Sequence, residues 1–171
     1  KHYELKKNLN KDINIFLFYG PNTDLIEETV KEMKVSYSEN LYNYNETEIL
    51  SDKNSFIINL FNKSFFENEK LIIINRVSEK ILEVIKDILE KKDYSFKIIL
   101  KASILEKKSK LRNFFEKKND LIITTFYEDN HQTLLNLAQN FFKKNEIKIS
   151  TQNINFILEK TKGNRLSLKN E

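Results

Sequence analysis

Cysteine is absent from this chain, and there are only two histidines, two glycines and one proline in 171 residues. Without cysteine there is no disulfide framework, no thiolate metal site and no cysteine nucleophile. His2 and His131 stand far apart and have no carboxylate pattern beside them, which argues against a zinc site and for surface positions. Long apolar runs are missing too. Nothing approaches the ~20 residues needed to cross a bilayer, and no charged start followed by an apolar middle marks a secretory leader. The chain also lacks a dominant charge: 29 basic and 25 acidic side chains leave +4, a balance that permits nucleic-acid contact without arguing for it. The scarcity of glycine and proline, beside abundant Lys, Asn and Ile, reads as compositional bias and carries no chemistry.

What remains is enough to fold. A hydrophobic fraction of 40% with 12% aromatics excludes general disorder and supports one domain, or one domain with a small second one. The chain begins at Lys1 without methionine and ends at Asn170-Glu171 inside a helical pattern, so a fragment of a longer protein is expected.

The first ten residues are polar, with Tyr3, Leu5 and Leu9 as their main candidate contacts. Ile13 to Tyr19 then reads as a strand running into the turn Gly20-Pro21-Asn22. Leu25, Ile26, Val30 and Met33 follow at helical spacing, with acids early in the helix. A short strand is expected between Val35 and Tyr44, and a helix with Phe56, Ile57, Leu60 and Phe61 inward. Leu71 to Ile74 is a continuous apolar run, as a strand covered on both faces requires. Ile81, Leu82, Ile85, Ile88 and Leu89 mark an amphipathic helix; Phe96 to Leu100 and Leu121 to Phe126 are further strands, separated by a short helix with Leu111, Phe114 and Phe115. Strands alternating with helices at this pace predict a mainly parallel sheet with helices on both sides. Beyond His131 only helical patterns occur, one with Leu134, Leu135, Ala138, Phe141 and Phe142, one with Ile154, Ile157 and Leu158, and one starting near Asn164 after a break at Gly163. A boundary is expected between Tyr127 and Asn130.

Three stretches invite a functional reading. Phe65 and Phe66 are adjacent, just ahead of a polar turn; neighbours on a helix point about 100° apart, so either both rings are wedged into the core or one is offered outward. Lys107, Lys108, Lys110 and Arg112 place four positive side chains within six residues, either as a solvated helix start beside Glu106 and Glu116 or as a phosphate-contacting segment. Gly20 opens a strand-turn-helix that resembles a phosphate loop only in outline. A Walker A motif needs a second glycine five residues later, then Lys and Ser or Thr, because backbone amides wrap the phosphates while the lysine and hydroxyl meet charge and magnesium. Those places hold Leu25, Ile26 and Glu27. The strand that should end in Asp-Glu to hold magnesium ends in Asn75-Arg76. No serine or threonine has a histidine in a recognisable nucleophile motif, and the strand ends carry no carboxylate cluster.

The order of Phe-Leu-Phe-Tyr-Gly at 16–20, Ser-Phe-Phe-Glu-Asn-Glu-Lys-Leu-Ile-Ile-Ile at 64–74, Leu-Glu-Lys-Lys-Ser-Lys-Leu at 105–111 and Gly-Asn-Arg-Leu-Ser-Leu-Lys-Asn-Glu at 163–171 resembles the delta subunit of bacterial DNA polymerase III, across essentially the whole chain. The resemblance implies an AAA+ type (P-loop NTPase-like) three-layer α/β domain over 1–128 with a degenerate nucleotide site, then a small helical lid over 129–171 that stops before a collar domain. It implies a clamp-loader wrench that binds and opens the sliding clamp during DNA replication, without hydrolysing ATP and without a cofactor. Such a subunit is a non-catalytic part of a DNA-directed DNA polymerase (nucleotidyltransferase) holoenzyme. Ser64, Phe65 and Phe66 match the family's clamp-binding positions, with Phe65 where leucine is more common. The implied partners are the beta clamp, the delta prime and tau/gamma loader subunits and primer-template DNA, in the bacterial cytoplasm and with no membrane. A divergent AAA+ ATPase and a stand-alone nucleic-acid-binding module are the alternatives.

Overall fold

A computed structural model of the chain describes residues 14–35, 40–62, 70–91 and 96–170. Contacts divide it into two compact units, Lys1–Phe126 and Tyr127–Glu171.

The first unit carries the strands β1 (Ile15–Tyr19), β2 (Leu41–Asn45), β3 (Lys70–Val77), β4 (Phe96–Ala102) and β5 (Leu121–Thr125). They form one five-stranded sheet in the order β2-β3-β4-β1-β5. Every pairing is parallel, as the strand-helix alternation predicts. Side chains alternate across the pleat, so each strand feeds two cores. Ile15, Leu17, Tyr19, Ile72, Ile74, Ile98 and Leu100 face one side, where α3 (Lys53–Phe61), α4 (Leu82–Glu90) and α5 (Lys110–Lys117) cover them. Phe16, Phe18, Leu71, Ile73, Ile99 and Ile122 face the other, against Ile26, Val30 and Met33 of α1 (Thr23–Lys34). Each of these fully buried side chains contributes roughly 1.5–3 kcal/mol relative to exposure.

Two features depart from the sequence reading. A separate short helix, α2 (Glu46–Ser51), precedes α3, started by Asn45 and Glu48 in a capping box. Asp52 then caps α3 by accepting from the Ser55 N–H at 3.0 Å. The Ser55 side chain and amide hold the Asp52 carboxyl below its ordinary value. The strand expected over Leu71–Ile74 is also longer, running through Asn75 and Arg76 to Val77 by a register shift between Ile74 and Val77. Arg76 takes a left-handed backbone there, φ 55°. Glu46, 6% exposed, sets this end of the strand: its carboxylate accepts from the Ser78 N–H and hydroxyl, each at 2.7 Å.

The second unit consists of α6 (His131–Lys144), α7 (Thr151–Lys160) and α8 (Arg165–Asn170) among the described residues. Leu134, Ala138, Ile154 and Leu158 make its core. Asp129 and Arg165 close it with a fork in which the guanidinium donates to both carboxylate oxygens at 3.0 Å.

Candidate functional site

The chain turns from β1 into α1 through Gly20-Pro21-Asn22, and the backbone N–H groups of this turn are taken by the chain itself. Gly20 donates to Ser103 O at 3.2 Å, Asn22 to Phe126 O at 3.3 Å and Thr23 to Pro21 O at 3.0 Å. Asn22, the N-cap of α1, accepts from the Leu25 N–H on its side-chain oxygen at 3.1 Å, and the Ile26 N–H donates to Asn22 O. A phosphate loop instead leaves such amides free to converge on an anion.

The three residues standing in Walker positions are spent elsewhere. Ile26 is buried in the core beneath α1, and Leu25 packs partly against the same core. Glu27 forms an ion pair with Lys101 at the end of β4.

Between the carboxyl ends of the strands lies a crevice. The chain leaves β1 for the α1 face and leaves β4 for the opposite, α5 face, so the crevice sits at the topological switch point where α/β sheets open a ligand site. It encloses about 390 Å³. Thr23, Glu27, Arg76, Ser78, Lys101 and Ser103 supply its polar wall, over a floor of Ile26, Val77 and Ala102. Asn75 and Arg76 sit where the Asp-Glu pair of a working site would hold magnesium and polarise water, and the Arg76 side chain is exposed. An acid, Glu27, thus stands where a working site has a hydroxyl, and a base, Arg76, where it has an acid. The sequence reading registered Asn75-Arg76 only as a failed magnesium motif; the meeting of Arg76 with Lys101 depends on the β3–β4 pairing, which no local signal reveals.

The basic segment lies between β4 and α5. Lys107, Lys108 and Lys110 are exposed. Lys108 pairs with Glu106 at 3.0 Å, and the Lys110 N–H donates to Glu79 at 2.8 Å. Arg112 turns inward: its Nε donates to Glu116 at 2.7 Å and its guanidinium carbon lies 5.5 Å from the Tyr19 ring centre. Ser64, Phe65 and Phe66 fall outside the described residues. His131 is exposed at the start of α6, and no group of three potential metal ligands occurs among the described residues. No helix there is long and apolar enough to cross a membrane.

No protein-family model matches the chain, and a comparison with curated proteins gives no match. Solved structures do match. The Bacillus subtilis DNA clamp loader delta protein superposes on 98% of this chain with a TM-score of 0.67 at 17% identity. The fold is that of a clamp loader delta protein. This chain spans 55% of that delta protein's length. The replication initiator DnaA, solved with AMPPCP and single-stranded DNA, aligns over 99% of this chain and 58% of its own, at a TM-score of 0.58 and 14% identity. Both likenesses are of fold: a parallel sheet with flanking helices, shared at low sequence identity.

Proposed function

We propose that this chain is the AAA+ type domain and helical lid of a clamp-loader delta subunit, which binds the sliding clamp and favours its opened ring without hydrolysing ATP. The observation that carries the reading is the agreement of fold with the clamp loader delta protein over 98% of the chain. The sequence resemblance at 16–20, 64–74, 105–111 and 163–171 points the same way. On this reading residues 1–128 are the AAA+ type domain and 129–171 the lid. The amides of the Gly20 turn, committed within the chain, and the Glu27–Lys101 pair support a subunit that leaves hydrolysis to delta prime and tau/gamma neighbours in the cytoplasm.

Ser64, Phe65 and Phe66 are the proposed clamp contact. Two adjacent aromatic rings in a preformed apolar pocket form the kind of small cluster that dominates an interface. The pair opens a ring only through its differential affinity for the opened and closed clamp, so no chemistry in this chain is needed. Lys107, Lys108 and Lys110 are the proposed contacts to primer-template phosphates, with Arg112 buttressing the segment through Glu116 and Tyr19.

Calorimetry against the sliding clamp of the same organism tests the proposal. The wild-type chain binds at micromolar Kd or tighter. The Phe65→Ala, Phe66→Ala variant, still folded, loses ~2 kcal/mol or more per ring, about 30-fold each. A wild-type chain that does not bind, or a variant that binds equally well, overturns the assignment.

A further inference from the structure

We propose that the crevice at the strand ends binds a single oxyanion, a carboxylate or a monophosphate, through Arg76 and Lys101, and that Glu27 is its resident internal competitor.

Arg76 lines the crevice, is exposed, and its side chain makes no hydrogen bond or ion pair to another described residue. Its left-handed backbone, φ 55°, is a conformation that a bulky side chain adopts only where the surroundings impose it. The register shift in β3 imposes it, and such bulges re-aim side chains at the edges of sites. Lys101 arrives on the neighbouring strand with its side chain only 17% exposed, and its ammonium is already matched by a carboxylate, that of Glu27. Glu27, at 60% exposed, is the partner free to swing out to solvent. Two cations and one acid thus share a cavity of about 390 Å³ whose wall also carries the hydroxyls of Thr23 and Ser103. The guanidinium fork matches one carboxylate or phosphate group in bidentate geometry. A polyphosphate gains nothing further, because the amides that would cradle its second and third phosphates are bonded within the chain.

The site is independent of clamp binding, and its test is separate. Inorganic phosphate, acetate and ATP are titrated into the chain while backbone amide shifts of residues 75–78 and 101–103 are followed by NMR. Phosphate or acetate shifts these amides saturably in the wild type, and ATP binds no more than a few-fold tighter than phosphate. Arg76→Asn removes the guanidinium and suits the left-handed backbone, and it abolishes the response. Glu27→Gln tightens binding at least about fivefold, the equivalent of ~1 kcal/mol of like-charge repulsion in water-like surroundings. Acetate as effective as phosphate points to an acidic side chain as the physiological oxyanion; phosphate alone points to a phosphorylated ligand. An unchanged response in Arg76→Asn, looser binding in Glu27→Gln or much tighter binding of ATP than of phosphate overturns the proposal.

Discussion

Gly20→Ala destabilises the sheet unit by about 3 kcal/mol or more, a large share of a typical domain's 5–15 kcal/mol. Gly20 has φ +137°, a backbone region that side chains rarely enter and that costs of order 1–3 kcal/mol to impose. A Cβ placed there lies 2.2 Å from the carbonyl oxygen of Phe126. That oxygen cannot move aside cheaply, because it accepts from the Asn22 N–H while the Phe126 N–H donates to Tyr19 O at 2.8 Å. Relief of the clash therefore separates the end of β1 from that of the edge strand β5. Thermal melting reads the effect as a Tm lowered by roughly 6–12 °C, taking ~2–4 °C per kcal/mol for a chain of this size. A Tm within a degree of wild type would show that the turn relaxes, and that Gly20 is not held by its neighbours.

Arg165→Ala or Asp129→Ala unravels the helical unit. The two side chains are 12% and 9% exposed, and their pair joins the residue before the Asn130 cap of α6 to the first turn of α8. Removing either partner strips a nearly buried charge of its ion pair, a change that costs up to about 3–5 kcal/mol, whereas the intact pair is worth much less than that figure. A unit whose core rests on Leu134, Ala138, Ile154 and Leu158 has little in reserve against such a loss. Hydrogen exchange monitored residue by residue is the discriminating measurement: protection falls throughout α6 and α7, with β1, β3 and β4 unchanged. Protection retained in α6 and α7 would mean that the helices pack without the fork.

Much of the fold was legible because its signals are local. The run Leu71 to Ile74 has the continuous apolar character that a strand buried on both faces needs, and the alternation of such runs with helical spacing leads to a parallel sheet. What the sequence hid depends on residues far apart. The extension of β3 past Asn75 rests on Glu46 gripping Ser78, 32 positions away. The partner of Glu27 is Lys101, 74 positions away, so Glu27 read only as an unsuitable Walker residue and never as half of a crevice. The helix α2 was missed because its capping residue, Asn45, is also the last residue of β2, and a strand pattern masks a helix start. Arg112 looked equivalent to its three lysine neighbours in a charge run, yet burial of Leu111 and Phe115 in α5 leaves it turned toward Tyr19 and Glu116. The phenylalanine pair differs again, since its reading rests on resemblance and on no geometry.

The central claim is that the chain opens a clamp by binding alone. Its most direct test is release of the sliding clamp from nicked circular DNA, measured with the chain added and no nucleotide present. The account predicts that the wild-type chain accelerates release, that ATP adds nothing, and that the Phe65→Ala, Phe66→Ala variant is inactive. A chain that binds the clamp and leaves its residence on DNA unchanged, or that accelerates release only with ATP, would contradict it.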